Sequence, residues 1–331
     1  MKYFLYFCGK YGIFMKNRLL ILAIAFLLFG CGQRESRTIP PVAFPIVNPP
    51  AMMEDAQDRA DYVALHFWDA FTDTTRVYSL DTSLVGGVRK MEFEQNFANW
   101  VSCLSMVRFD VGCKSMDKLY SKVAACEKKD TSSNIFESVN DLVYKYLYDP
   151  NSPLRNEDLY GIYAERLSSS EYISPEKRSS YENDAKLCAM NRIGTKAADF
   201  RFSDKRGKIR TLYSIDSEWI LLFFSNPGCN ACLDIIENLK ASEGIQYMIQ
   251  TGELAVLNIY IDEDLEAWKS YMPIYPENWY NGFDPDYVIR TDLLYHVRAI
   301  PSLYLLDKDK KVVMKDATVE NVFAFFGSLG I

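Results

Sequence analysis

Histidine is almost absent from this chain. Only His66 and His296 occur among 331 residues, and no short motif spacing joins them. Ser-His catalysis needs an imidazole next to a nucleophile, and many metal sites need grouped imidazoles, so this scarcity argues against both. His66 falls inside an amphipathic helical pattern, where a packed or surface role is expected. The sequence predicts no metal site and no bound cofactor.

Clustered positive charge is also missing. The chain has 37 Lys and Arg against 44 Asp and Glu, a net charge of −7. Nucleic-acid binding needs grouped basic side chains that neutralise phosphates, so a nucleic-acid partner is not expected. The 49% hydrophobic content is that of a globular protein. Because 331 residues exceed what one compact core usually needs, we expect two domains behind a targeting segment.

A long apolar run is lacking, but a short one stands near the start. Residues 15–31 read MKNRLLILAIAFLLFGC, with basic residues ahead of an apolar core that is too short for a comfortable membrane span. This pattern predicts a signal peptide over residues 1–30. Its last four residues resemble a bacterial lipobox, which implies lipidation of Cys31 and a protein anchored to the extracytoplasmic face of the cell envelope. A plain signal peptide and an uncleaved anchor are the alternatives, and inner or outer membrane stays open.

Two segments of different composition follow the signal peptide. Residues 31–53 contain five prolines and predict an extended tether without a helix. Residues 54–191 predict an all-α domain of about six helices, because apolar residues such as Phe93, Phe97 and Trp100 recur at helical steps. Ser152-Pro153 and Ser174-Pro175 each predict a helix start.

Four cysteines of the helical domain lack the paired short spacings of a zinc site. In an oxidising compartment they can form up to two structural disulfides, and free buried thiols are the alternative. The sequence does not rank the possible pairings of these residues, which are Cys103, Cys113, Cys126 and Cys188.

Over residues 192–331 the sequence pattern predicts a mixture of strands and helices. A hairpin over 200–212 precedes the apolar run EWILLFFS, which is typical of a strand buried on both faces, and LAVLNIY at 254–260 is a second such strand. Helices are predicted near 264–271 and 292–295, and two strands and a helix over 319–329 close the domain. This order predicts an α/β sandwich.

Two cysteines stand between the first buried strand and the helix after it. In FFSNPGCNACLDII, Cys229 and Cys232 are three residues apart, so they are close enough to bond in the first helical turn. The unpaired N–H groups and positive dipole end of that helix stabilise a thiolate on Cys229 and lower its pKa. Cys232, one turn further along, is expected to be shielded and to act as the resolving thiol. Pro301 begins a later strand, and in this architecture a proline at that place is usually cis and presents the preceding backbone, at Ile300, to an incoming disulfide-bearing chain.

These motifs resemble the thioredoxin fold, and in particular extracytoplasmic thioredoxin-like lipoproteins of the TlpA type. GTKAADF resembles the usual start of such domains, with Ala198 where proline is common. The helical domain upstream further resembles that of two-domain Bacteroidota lipoproteins whose N-terminal domain has no known function. The resemblance implies a thiol-disulfide oxidoreductase with Cys229 as nucleophile, Cys232 as resolving thiol and Ile300-Pro301 as docking turn. Its partners would be a disulfide-bearing protein substrate and a thiol electron donor or acceptor.

The chain departs from thioredoxins at one position. A buried acid is usual in the strand before the motif, whereas here the strand is WILLFFS, with Glu218 only at its outer end. Glu277 or water could take over the proton transfer from Cys232. A permanently oxidised structural disulfide remains open, while a zinc half-site lacks a second ligand pair and a peroxiredoxin lacks its expected neighbours.

An extra segment over residues 271–287 separates the two motifs and is dense in aromatic residues and prolines. We expect Trp279 and Tyr280 to line a groove beside Cys229 and to select substrates, and a self-packed surface loop is the alternative. A disulfide reductase is favoured over an oxidant. An envelope-binding lipoprotein whose thioredoxin-like domain is only a scaffold is the second hypothesis.

Overall fold

The computed structural model describes residues 39–330. Residues 41–330 form one compact unit. The predicted signal peptide and Cys31 lie outside the described residues. Across residues 39–330, no helix has both the length and the apolar character that a membrane crossing needs.

The tether is extended but not free. Residues 39–55 contain no helix, as the prolines predict. Phe44, however, is only 5% exposed and its ring lies 5.2 Å from that of Phe71. The Val42 N–H donates to the carbonyl of Gly87 at 2.9 Å. From Val42 onward this segment therefore belongs to the folded unit, since burying one aromatic ring stabilises a fold by about 2 kcal/mol.

Residues 54–191, all of them described, contain six α-helices, as the sequence predicts. They are α1 (Ala56–His66), α2 (Lys90–Leu104), α3 (Phe109–Lys129), α4 (Ile135–Val143), α5 (Glu157–Ser168) and α6 (Pro175–Cys188). A π-helical turn, Tyr144–Tyr148, extends α4. One small hairpin, β1 (Leu84–Val85) with β2 (Val88–Arg89), was not predicted. Gly86 and Gly87 form its tight turn with φ values of 52° and 82°, which favour glycine.

The helical core follows the apolar periodicity of α2. Phe93, Phe97 and Trp100 are each at most 1% exposed and lie in one cluster with apolar residues of α3, α4 and α5. Ser174 is the N-cap of α6 with Pro175 at its first turn, as predicted. The start predicted at Ser152 is wrong: Ser152 lies in a turn, and α5 begins at Glu157. Asn156 caps that helix because its side chain accepts from the Leu159 N–H.

The second region is built on one seven-stranded sheet. Its strands are β3 (Arg201–Asp204), β4 (Ile209–Thr211), β5 (Trp219–Phe224), β6 (Leu254–Tyr260), β7 (Tyr280–Phe283), β8 (Ser302–Asp307) and β9 (Val312–Met314). Its helices are α7 (Asn230–Ala241), α8 (Glu243–Thr251), α9 (Leu265–Tyr271) and α10 (Val319–Ser328). No helix forms at 292–295, where Leu293 has a φ of 52° that is incompatible with a right-handed helix.

The strand order is β4-β3-β7-β6-β5-β8-β9. Strands β5, β6 and β7 run parallel, and β8 is antiparallel to β5. The aromatic-rich segment over residues 271–287 thus contributes β7, which lies between the β3–β4 hairpin and the rest of the sheet. Gly282 makes this possible, because a Cβ there would lie 2.8 Å from the Phe202 ring.

Two apolar layers cover the sheet. One face packs against α7, α8 and α10 around Leu221 and Phe223. The other face packs around Leu222, Phe224 and Tyr295. Because alternate residues of a strand point to opposite faces, the continuous apolar run of β5 is buried on both sides. This central strand delivers the two cysteines to one edge of the sheet.

Candidate active site

Cys229 and Cys232 lie where β5 leads into α7. Cys229 is the N-cap residue of α7, and the two cysteines form a disulfide with their Cα atoms 5.2 Å apart. The Cys232 N–H points at the Cys229 sulfur, 3.1 Å away. The sulfur of Cys229 therefore faces the unpaired N–H groups and the positive dipole end of the helix, a setting that favours negative charge on sulfur.

The two sulfurs differ in exposure. Cys229 is partly exposed, whereas Cys232 is only 2% exposed and belongs to the core beneath α7. A molecule arriving from solvent can reach only the first of them. Gly228, immediately before, has a φ of 73° and open space around its Cα, so the chain can turn sharply into the helix there. The loop is held by Asn226, whose amide donates to Asp262 at 2.7 Å.

The turn before β8 lies at the same end of the sheet. The Ile300-Pro301 peptide bond is cis, and both residues are partly exposed. Ser302, the next residue, pairs with Phe224 at the end of β5. Because the cysteine motif follows Phe224 directly, neighbouring strands place the predicted nucleophile, resolving thiol and docking turn at one edge.

Trp279 and Tyr280 lie elsewhere. Trp279 is only 5% exposed, so its indole has little surface left for an incoming chain. Tyr280 is partly exposed and carries the Arg210 guanidinium 5.3 Å from its ring centre. Both residues line a cavity of about 520 Å³ that also touches Ser217 and Leu254, at the opposite ends of β5 and β6 from the cysteines. Their role in substrate selection stays a prediction. Tyr280 is the more accessible of the two, because Trp279 is almost fully buried.

Strand β5 is apolar throughout and carries no acidic residue, as the sequence predicts. Glu277 is exposed and lines the same cavity as Trp279 and Tyr280. A neutral polar group lies directly after β5. Ser225 Oγ donates to Asn258, and the Tyr275 hydroxyl lies 3.4 Å from Ser225 Oγ. Burial raises the pKa of Tyr275 despite these two hydrogen-bonding neighbours, so its hydroxyl stays protonated at neutral pH.

A buried group of charges joins the helical region to the sheet region and was not predicted. We call it the interface cluster; it comprises Arg155, Glu157, Asp158, His296, Arg298, Lys315 and Asp316. Glu157 lies 2.8 Å from Lys315 Nζ and 3.3 Å from Arg298 Nε, and His296 Nδ1 is 3.1 Å from its carboxylate. Glu157 and His296 are 139 positions apart, so no periodicity or short motif could have revealed the contact.

The charges of the interface cluster compensate one another. Burial raises the pKa of Glu157, but the His296 hydrogen bond and the Lys315 charge outweigh it, so this pKa lies below its ordinary value. Burial dominates at Asp158 and raises its pKa. Glu157, Cys188 and His296 are close enough together to hold a metal ion. The chemistry does not fit one, because burial raises the pKa of Cys188 and two cations already occupy the Glu157 carboxylate.

The other cysteines form no disulfide within the described part of the chain. Cys103 and Cys113 are partly buried, while Cys126 and Cys188 are buried. Burial raises the pKa of all four thiols. Of the two alternatives that the sequence left open, the structure has free thiols that pack as small apolar groups. His66 is partly exposed and pairs with Asp69 at 2.7 Å.

Comparison with known proteins agrees with this architecture. A solved thioredoxin-like protein from Bacteroides caccae is 32% identical over 86% of this chain and 98% of its own, with a TM-score of 0.72. The chain belongs to the thioredoxin-like proteins. The fold class predicted from the sequence, a thioredoxin-like domain preceded by a helical one, is thereby confirmed.

Two further solved structures each match less than half of this thioredoxin-like chain. The C-terminal domain of an uncharacterized protein from Bacteroides fragilis is 46% identical over 41% of this chain and 98% of its own, with a TM-score of 0.41. A domain of a possible thiol-disulfide isomerase from Cytophaga hutchinsonii is 23% identical over 43% of this chain and 95% of its own, with a TM-score of 0.37. Residues 30–191 match the family model "Domain of unknown function (DUF5106)". No curated protein matches the chain.

Proposed function

We propose that this chain is a lipid-anchored, extracytoplasmic thiol-disulfide oxidoreductase that reduces disulfides in other proteins. The observation that carries the proposal is the pair Cys229 and Cys232 at the start of α7, with only the first sulfur accessible and the cis-Pro301 turn on the neighbouring strand. Thiol-disulfide exchange needs such an exposed attacking sulfur and a second sulfur within bonding distance.

The reaction starts from the reduced pair. The Cys229 thiolate attacks one sulfur of the substrate disulfide, which forms a mixed disulfide and releases the other substrate sulfur as a thiolate. The Cys232 thiolate then attacks Cys229, which restores the disulfide recorded in the structure and releases the second substrate thiol. Two electrons thus pass to the substrate, and a thiol donor must reduce the pair again. The Ile300-Pro301 turn would hold the substrate backbone next to Cys229.

Proton transfer from Cys232 is the step with least support from side chains. No carboxylate occupies β5, and the polar side chains that meet directly after it are the neutral Ser225, Asn258 and Tyr275. We therefore assign this proton to water, and we expect turnover to be slower than in thioredoxins that carry a buried acid. The same feature favours the second candidate, an envelope-binding protein with little redox turnover.

Insulin reduction by a dithiol donor tests the proposal. The wild type should accelerate the reaction, and Cys229→Ser should reduce the rate to that without enzyme, because the attacking sulfur is lost. Cys103→Ser is the matched control, since this thiol lies in the helical region, where it contacts the Ala60 carbonyl, and its loss should leave the rate unchanged. Equal low rates for wild type and Cys229→Ser would instead favour the binding protein. A reduction potential near about −120 mV would overturn the reductase direction, because that value belongs to a strong oxidant.

A further inference from the structure

Arg298 links the helical region to the segment that enters the docking turn. Its guanidinium carbon lies 4.4 Å from the ring centre of Tyr148, in the turn that extends α4. Its Nε lies 3.3 Å from the carboxylate of Glu157 on α5. The Arg298 side chain is only 10% exposed, and Pro301 follows three residues later. The approach to the turn is therefore held by residues of the other region.

The other side of the turn is held through Asp316. Arg298 Nη2 donates to Asp316 Oδ2 at 3.0 Å, and Ser302 Oγ donates to Asp316 Oδ1 at 3.1 Å. Ser302 is the residue directly after Pro301. Arg155, just before α5, also donates to Asp316 Oδ2 at 3.0 Å. The Asp316 carboxylate thus contacts Arg298 before the cis bond, Ser302 after it, and Arg155 of the helical region.

These contacts restrain the turn because the loss of any one of them weakens the pairing of a buried charge. Moving Arg298 away would leave the carboxylates of Glu157 and Asp316 buried with one fewer cation, and unpaired buried charges are costly. The planar fork of arginine meets both carboxylates and the Tyr148 ring together, whereas the point charge of lysine cannot do so. Residues 298–302 consequently have little freedom to shift relative to Cys229.

We propose that Arg298 is a positioning residue through which the helical region fixes the cis-Pro301 turn for docking of a disulfide-bearing chain. This inference rests on the proposed function of Cys229 and Cys232. It gives the region of unknown function a task in the reaction: without Tyr148 and Glu157 behind it, Arg298 would keep only its contact with Asp316.

The test compares Arg298→Lys with Arg76→Lys in the full chain. Arg76 is a matched control, because its guanidinium also lies over aromatic rings, 5.1 Å from the ring centre of Phe71, but within the helical region. Insulin reduction should show a KM about tenfold higher for Arg298→Lys with kcat within twofold of wild type, since one charge-assisted contact set is lost while the sulfurs are untouched. Arg76→Lys should change neither constant.

Hydrogen exchange at the amides of residues 297–303 is the second readout and does not require turnover. Exchange there should become faster in Arg298→Lys and stay unchanged in Arg76→Lys. If either KM or this exchange equals that of the wild type, the proposal is overturned. Should the wild type show no turnover, the proposed function fails by itself, and the exchange rates alone then decide the role of Arg298.

A second pair of variants covers poor folding of Arg298→Lys. Tyr148→Phe keeps the ring under the guanidinium and should match the wild type in KM and exchange. Tyr148→Leu removes the ring and should behave like Arg298→Lys. Equal behaviour of the two Tyr148 variants would overturn the proposal in the same way.

Discussion

Replacing Lys315 with methionine should destabilise the protein strongly, and more so at neutral than at acidic pH. The side chains of Lys315, Glu157 and Asp158 are each 1% exposed, and Lys315 Nζ lies 2.8 Å from one carboxylate and 3.6 Å from the other. At an effective dielectric constant of about 20, these attractions amount to about 6 and about 5 kcal/mol. Desolvation of the lysine offsets part of them, so we expect a net loss of about 3 to 5 kcal/mol at pH 7.

The pH dependence gives this prediction its sign. In the wild type the pKa of Glu157 lies below its ordinary value of 4.5, so its contribution to stability is present above that pH and is lost as the pH falls below it. Without Lys315, burial dominates and raises the pKa of both carboxyls. The unfolded chain then ionises more readily than the folded one, and the stability of the variant falls as the pH rises from about 4 to about 7.

Urea denaturation followed by tryptophan fluorescence at several pH values measures the effect. Lys308→Met is the matched control, because Lys308 is 64% exposed and lies 3.9 Å from Glu218, and its loss should cost less than about 1 kcal/mol. A loss below about 1 kcal/mol for Lys315→Met, or a loss that does not change between pH 5 and pH 7, would refute the reasoning about the interface cluster.

Two further predictions concern other parts of the fold. Although burial opposes it, hydrogen bonds from Lys118 and His66 lower the pKa of Asp69 to about 2 from its ordinary 3.8, so its contribution is present above that ordinary value and is lost as the pH falls towards 2. Because the Asp69 side chain is 34% exposed, Asp69→Asn should cost about 1 kcal/mol at pH 7 and flatten the stability curve below pH 4, as acid titration by circular dichroism can measure; an unchanged curve would contradict this. Gly282→Ala should destabilise the protein by about 1 to 3 kcal/mol, because its Cβ would lie 2.8 Å from the Phe202 ring and 3.0 Å from the Ser203 carbonyl; wild-type stability in urea would show that β3 and β7 can separate without cost.

Local sequence patterns were sufficient to predict a strand or helix where the element's own residues show which of its faces is buried. The continuous apolar runs at β5 and β6 predicted two strands that are buried on both faces, and both form within a residue of the expected bounds. The periodicity around Phe97 predicted α2 and its inner face. The Ser-Pro signal was less reliable as a predictor of helix starts. Both Ser152 and Ser174 carry it, but only Ser174 begins a helix, so the surroundings of each residue decide the outcome.

The candidate site was predictable in part. The cysteine motif and Pro301 could be recognised because each carries a local chemical signature, and the sheet register brings them to one edge. The placement of Trp279 was not predictable, since an aromatic-rich segment can form a surface loop or, as here, lead into a strand. Arg298 showed no signal, because an isolated arginine has no periodicity and its partners come from α5 and the end of α4.

The sequence by itself determined the two regions, the buried strands, and the position of Cys229 at the start of a helix, because these depend on contacts between near neighbours and on hydrophobic period. Only the tertiary structure decided that β7 enters the sheet, that the cysteines of the helical region stay free, and that Glu157, Arg298 and Asp316 meet behind the cis-Pro301 turn. The contacts from the helical region to Arg298 and Asp316 join residues more than a hundred positions apart, and only the folding of the chain brings these residues within hydrogen-bonding distance.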